Sequence, residues 1–399
     1  MLSRREFLRH SSLLALAPTI PGFLAHTARA AAPQRDARVL VVIELGGGND
    51  GINTVVPYRD EGYAKHRKAL RLPAERILKI NDHVGLNPSM GDAHKLLESG
   101  RLAIVQGVSY PNPSRSHFDS MAIWHSARLD AEERNSLGWL GRGLDGGPKL
   151  PKGAPAAMLI GCGQPPVALR GRRSVASAME RIEEFAITAG ADPRSALPKT
   201  EFPDDLRAFM QRSMLDAYTT ADRLVEIAGA KAVDGRYPAG DLASRLRLIA
   251  RLLKAGFGSR VFYTQQSGYD THSGQLSTHA GLLFELSSAL RAFLDDLAAA
   301  GLADRVAVLC FSEFGRRVAE NGSQGTDHGT AGPVLLAGTG VKPGLVGTTP
   351  SLLDLEAGDL KVGLDFRRVY ATVLEDWLGL PSQAALAGAF ERLPLFRGA

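Results

Sequence analysis

Residues 38–50 read RVLVVIELGGGND. The first eight form an almost unbroken apolar, β-branched run, which predicts a strand buried on both faces. The run then stops at three glycines and the polar pair Asn49 and Asp50. A strand with no polar face needs cover on both sides, and in parallel sheets helices supply it. The glycines are a poor dinucleotide fingerprint. The third glycine of G-x-G-x-x-G would be Gly51, and no helical pattern follows cleanly.

The same kind of run recurs along the chain. Residues 102–108 (LAIVQGV), 259–265 (SRVFYTQ), 305–311 (RVAVLCF) and 333–337 (PVLLA) read as strands, and 157–160 as a weaker one. Apolar residues repeat at helical spacing over 203–229, 241–255 and 276–300, and residues 365–378 make a last helix. Strands alternating with helices predict an α/β fold, a mostly parallel central sheet with helices on both faces. Residues 31–399 are expected to form one domain, large enough for a sizeable core, with a loop-rich insertion around 131–200. No internal repeat is visible. The two cysteines, Cys162 and Cys310, make no metal-binding spacing, and Cys310 inside an apolar run is expected to be a buried free thiol.

Ligands in such sheets collect beyond the carboxyl ends of the strands. Asn49 and Asp50 follow the first strand, and Asp270 and His272 follow the strand near 260. Glu313 and Arg316 follow the strand near 305; Asp327 and His328 precede the last strand. Ser114, Arg115, Ser116 and His117 come after the second. Residues two apart in an extended segment point the same way, so Asp270 and His272 reach a common point. A single acid or histidine here is commonly a helix cap or a solvated group. Capping does not explain why acids and imidazoles recur together at corresponding strand ends. Such a donor set suits one or two divalent ions, zinc, manganese, magnesium or calcium.

The amino terminus carries the pair Arg4 and Arg5 followed by Phe7 and Leu8, an apolar stretch over 13–24 broken by Pro18 and Pro21, and small residues at Ala28 and Ala30. This reads as a twin-arginine export signal over 1–30, too short and broken to span a bilayer. Its expected partner is the twin-arginine translocase and its expected destination is the periplasm or the exterior. Export by this route usually delivers a folded protein, often with its cofactor loaded. The whole chain has a formal charge of +5; four arginines and one glutamate lie within 1–30, so the remainder carries +2. No basic stripe with interleaved aromatics points to nucleic acid, and no other stretch is apolar enough for a transmembrane segment.

At GGGNDG, SRSHFDSM, GYDTHSGQ, SEFGR and GTDHG, together with the leader, the chain resembles a family of exported bacterial proteins, domain-of-unknown-function family 1501. That family in turn looks similar to the alkaline phosphatase, sulfatase and phosphomutase superfamily, through residues 309–338 above all. The resemblance implies that Asp50 and Glu313 bind one metal and that Asp270, His272 and His328 bind another, with Asp327 a ligand or an orienting group for His328. It further implies hydrolysis of a phosphate or sulfate ester, small or polymer-linked. Phe314 stands where the superfamily usually has a ligating histidine. Pro111 stands where a sulfatase would mature its formylglycine, which excludes that nucleophile. Ser116, before a helix expected at 118–127, or a water activated by metal is left as the attacking group; Ser116 as a plain N-cap is the alternative. Arg115 and Arg316 are candidate contacts to the anion, and His117, His125 and His279 read as structural or solvated. A non-catalytic envelope protein with a degenerate metal site is the other function class, favoured by Phe314.

Overall fold

The computed structural model describes residues 38–134, 137–148, 154–161, 163–174, 176–180 and 234–398, with Leu224 and Ile227. The leader, the predicted helix at 203–229 and Cys162 lie wholly or largely outside the described residues.

The opening run is the strand β1 (Val39–Gly46), and it lies in the middle of the main sheet. The sheet also contains β2 (Leu102–Ser109), β3 (Ala157–Ile160), β4 (Ala176–Met179), β5 (Val261–Ser267), β6 (Val306–Phe311), β7 (Gly332–Ala337), β8 (Gly344–Val346) and β9 (Leu364–Asp365). The order is β8-β2-β7-β6-β1-β5-β3-β4, with β9 also on β2. Every pairing is parallel except those of β7, which runs against both β2 and β6.

The side-chain period of two divides β1 between two cores. Val39, Val41, Ile43 and Leu45 pack on one face, beneath the helices at Gly91–Glu98, Asp241–Lys254 and Gln275–Ala299. Leu40 and Val42 pack on the other, beneath His117–Ser126, Trp139–Asp145, Phe366–Thr372 and Ser382–Leu386. Helices on both faces are why β1 tolerates no exposed side. The last predicted helix is α-helical over Phe366–Thr372 and then widens to a π-turn over Val373–Trp377. Of 131–200, the described residues supply the helix Trp139–Asp145, the strand β3 and the edge strand β4. Cys310 is buried and free. Among the described residues no helix is long and apolar enough to cross a membrane.

The reversed direction of β7 matters for function. Its amino end lies at the edge where β1, β5 and β6 have their carboxyl ends. Asp327 and His328, which precede it, therefore reach the same edge as the residues that follow the other strands.

Candidate metal centre

Arg316 ties the loops at this edge together. Its side chain is fully buried. Nε donates to Gly48 O at 2.7 Å and Nη1 to Thr326 O at 2.8 Å. Nη2 donates to Gly47 O, to Tyr269 O at 3.1 Å and to Asp270 Oδ1 at 2.7 Å. Each guanidinium nitrogen is thus committed to the protein, and the expected contact between Arg316 and a substrate anion gives way to a structural strut. The glycines after β1 permit this closeness. Gly47 has φ +120°, and a Cβ there would lie 2.4 Å from Asp270 N; on Gly48, at φ +79°, it would lie 2.3 Å from the Phe314 ring.

Around this strut, acids and imidazoles converge. His272 Nε2 and His328 Nε2 are 3.0 Å apart, and each approaches Asp270 Oδ1, at 3.0 and 3.1 Å. His117, at the start of its helix, brings Nε2 to 3.5 Å from Asp270 Oδ2. His117, Asp270 and His328 offer ligand atoms all within 4.8 Å of one another, and His272 closes a second triangle on the same Asp270–His328 pair.

The other ring nitrogens explain the orientation. His328 Nδ1 meets the Arg115 carbonyl at 2.8 Å, His117 Nδ1 meets Glu313 Oε1 at 2.8 Å, and His272 Nδ1 meets Asp327 Oδ1 at 3.3 Å. All three partners are pure acceptors, so each Nδ1 carries the proton and each Nε2 presents a lone pair. Imidazole lone pairs set this close to one another and to a carboxylate repel unless a cation sits among them. Separations of 3.0–3.1 Å also match ligand atoms that share one ion at bonds of about 2.0–2.1 Å. The donor set therefore fits a divalent ion such as zinc or manganese. Burial alone would raise the Asp270 carboxyl, but Arg316, by its hydrogen bond and its charge, holds it below the usual carboxylate range. It is ionised at any ordinary pH.

The remaining candidates are dispersed. Asp50 is wholly buried; Arg67 Nη1 donates to its Oδ2 at 2.5 Å and Nη2 to its Oδ1 at 3.1 Å. Gln275 and the backbone N–H groups of Ile52 and Asn53 take up its remaining lone pairs. A guanidinium already holds the position where the resemblance implies a metal. Glu313 accepts from Gly47 N at 2.9 Å, Ser312 Oγ at 2.9 Å and His117, sharing no partner with Asp50. It orients His117. Asp327 orients His272, while His328 is oriented by the Arg115 carbonyl. The Arg115 side chain turns to Asp359. Ser116 occupies the N-cap position of His117–Ser126, but its side chain makes no cap bond and is exposed.

Two important residues escaped the sequence reading. His117 belongs to the cluster; its sign was present, since it follows a strand that ends at this edge. Nothing in the sequence marks Arg67. His279 is structural, buried against Asn49 Oδ1 at 2.8 Å.

An α/β sheet with this cluster at its carboxyl edge defines a protein with a candidate mononuclear His/Asp metal centre. Residues 37–387 match DUF1501, described as a protein of unknown function, and the chain belongs to that family. No curated protein matches it. Similar solved structures include the PsFucS1 sulfatase from Pseudoalteromonas sp., at 10% identity over 95% of this chain and 74% of that one, TM-score 0.38. The zinc complex of the C-terminal periplasmic domain of EcEptC from Escherichia coli is 9% identical over 87% of this chain and 84% of its own, TM-score 0.38. The lipoteichoic acid synthase LtaP from Listeria monocytogenes is 11% identical over 85% and 79%, TM-score 0.34.

Proposed function

We propose that this protein is an exported metal-dependent hydrolase of a phosphate or sulfate ester, built around one divalent ion. The observation that carries the reading is the convergence of His117, His272 and His328 Nε2 on the Asp270 carboxylate, with every Nδ1 tied to an oxygen. Asp270 and His328 would hold the ion, with His272 and His117 completing its shell. When bound, such an ion supplies Lewis-acid polarisation of an ester oxygen.

The chain's own groups supply the rest. Arg316 keeps Asp270 ionised and aimed. Glu313, Asp327 and the Arg115 carbonyl fix the imidazole tautomers, as orienting groups around metal ligands do. Ser116 stands beside His117 with a free hydroxyl at the amino end of a ten-residue helix, where backbone N–H groups favour an anion. It is the candidate nucleophile. The twin-arginine leader supports delivery to the periplasm or the exterior.

The second reading is an envelope binding or assembly protein with a structural ion. The Arg67–Asp50 pair favours it, because that pair removes one of two expected metals. Elemental analysis of the folded protein, followed by a screen of p-nitrophenyl phosphate and sulfate, separates the two. About one equivalent of metal with ester turnover, both lost in a His328→Ala, Asp270→Ala double variant, is the expected result. One equivalent without turnover favours the structural ion, and a folded protein that takes up no metal sinks the hydrolase.

A further inference from the structure

Glu44 is the charged residue inside the buried run of β1, only 4% exposed. The period of the strand sets it on the same face as Leu40 and Val42, beneath the helix His117–Ser126. His125 on that helix brings Nε2 to 2.8 Å from Glu44 Oε2; Tyr263 donates to the same oxygen, and Gln265 Nε2 donates to Oε1 at 2.7 Å. Burial raises the Glu44 carboxyl, yet these partners outweigh it and hold the group below its ordinary value. Burial, then the Glu44 charge, pushes Tyr263 well above its ordinary value. Glu44 is therefore an anion satisfied by donors, and His125 Nε2 bears a proton. His125 Nδ1, Gln265 Oε1 and Ser267 Oγ have no partner among the described residues.

These groups line two contiguous hollows of ≈ 460 and ≈ 390 Å³, which share Glu44, His125, Gln265 and Ser267. The first reaches His117 and Glu313 at the metal centre, and the second continues to Arg245. The cleft has two unlike walls. Phe118, Met121 and Ala122, at helical spacing, make one wall apolar, and Phe118 is 92% exposed. His125 follows them on the same helix, and the strand side that faces it carries the Glu44 carboxylate, the Gln265 amide and the Ser267 hydroxyl.

His125 lies eight residues beyond His117 on one helix, about 12 Å along its axis. That is too far for it to exchange a proton with an ester held at the cluster, where a general acid must be within hydrogen-bond reach. A role in recognising the rest of the substrate is the one the distance allows. The buried carboxylate disfavours a second phosphate or sulfate, and the polar wall disfavours an acyl chain. A ligand with hydroxyl edges and a C–H face matches both walls.

We propose that this cleft binds a neutral saccharide, the alcohol part of the ester whose anionic group lies at the metal centre. The proposal rests on the hydrolase reading for that second clause, while the binding itself can be measured alone. Five neutral hexasaccharides (β-1,4-glucan, α-1,4-glucan, β-1,4-mannan, β-1,4-xylan and chitin) are titrated calorimetrically into the full chain. At least one is expected to bind, with about ten-fold or greater weakening in Phe118→Ala and in Gln265→Ala. Phe118 is exposed, so its removal leaves folding intact even if Gln265→Ala does not. Binding of none of the five, or binding unmoved by Phe118→Ala, overturns the proposal. Saccharide binding without turnover of either p-nitrophenyl ester supports the subsite and removes only the hydrolase.

Discussion

Arg67 and Asp50 form a two-pronged ion pair, at 2.5 and 3.1 Å, with neither side chain exposed to solvent. Arg67 also donates from Nε to Val318 O at 2.7 Å and from Nη2 to Arg317 O at 2.9 Å, so it joins the loop after β1 to the loop after β6. A permanent organic cation thus stands where the family resemblance leads one to expect an exchangeable metal.

Breaking this pair strands a buried charge. Asp50→Ala and Arg67→Met are each expected to lower unfolding free energy by about 3–5 kcal/mol, and the double variant by less than the sum. Urea denaturation of the four proteins checks this. An Asp50→Ala protein of unchanged stability that has lost a metal equivalent would return Asp50 to the ligand set.

The orienting acids are expected to act through the imidazoles they hold. Asp327→Ala and Glu313→Gln should each weaken metal affinity roughly 10–100-fold, with the fold retained. Competition with a chelating dye reads this directly. Affinity unmoved in both would mean that the Nδ1 contacts do not set the centre.

Ser116→Ala tests the nucleophile on any ester found to turn over. Loss of a covalent nucleophile is expected to lower kcat on the order of 10³-fold or more, without changing metal content. Turnover that persists unchanged would assign attack to water.

His279 gives the fold a defined acid sensitivity. Burial, chiefly, lowers it from 6.5 to about 4, so it is neutral in the folded protein at pH values where the unfolded chain takes a proton. The sign follows: its contribution is fully present above pH 6.5 and is lost as pH falls from 6.5 towards 4. The size is about 3 kcal/mol, from 2.5 pH intervals of about 1.4 kcal/mol each. His279→Gln should flatten the stability profile across that window, and an equally steep profile in the variant would assign the sensitivity elsewhere.

The sequence by itself determined the architecture and the edge at which chemistry is placed. A run such as 39–45, apolar but for Glu44 and buried on both faces, has no stable home but the middle of a helix-covered sheet, and the strand ends then locate the polar groups. It also put Asp270, His272 and His328 on one shortlist, because spacing of two and a position beside a strand end are local properties. Only the tertiary structure decided how those groups are used. Asp50 and Glu313 look like ligands in sequence, but whether a carboxylate is free depends on what reaches it through space. Arg67 reaches Asp50 from 17 positions away, and His117 reaches Glu313 from 196. Arg316 is a surface-type residue by composition, yet glycines at 47 and 48 let the backbone close around it until its donors are used. Pairing of charges and donors across loops is long-range, and no periodicity along the chain records it.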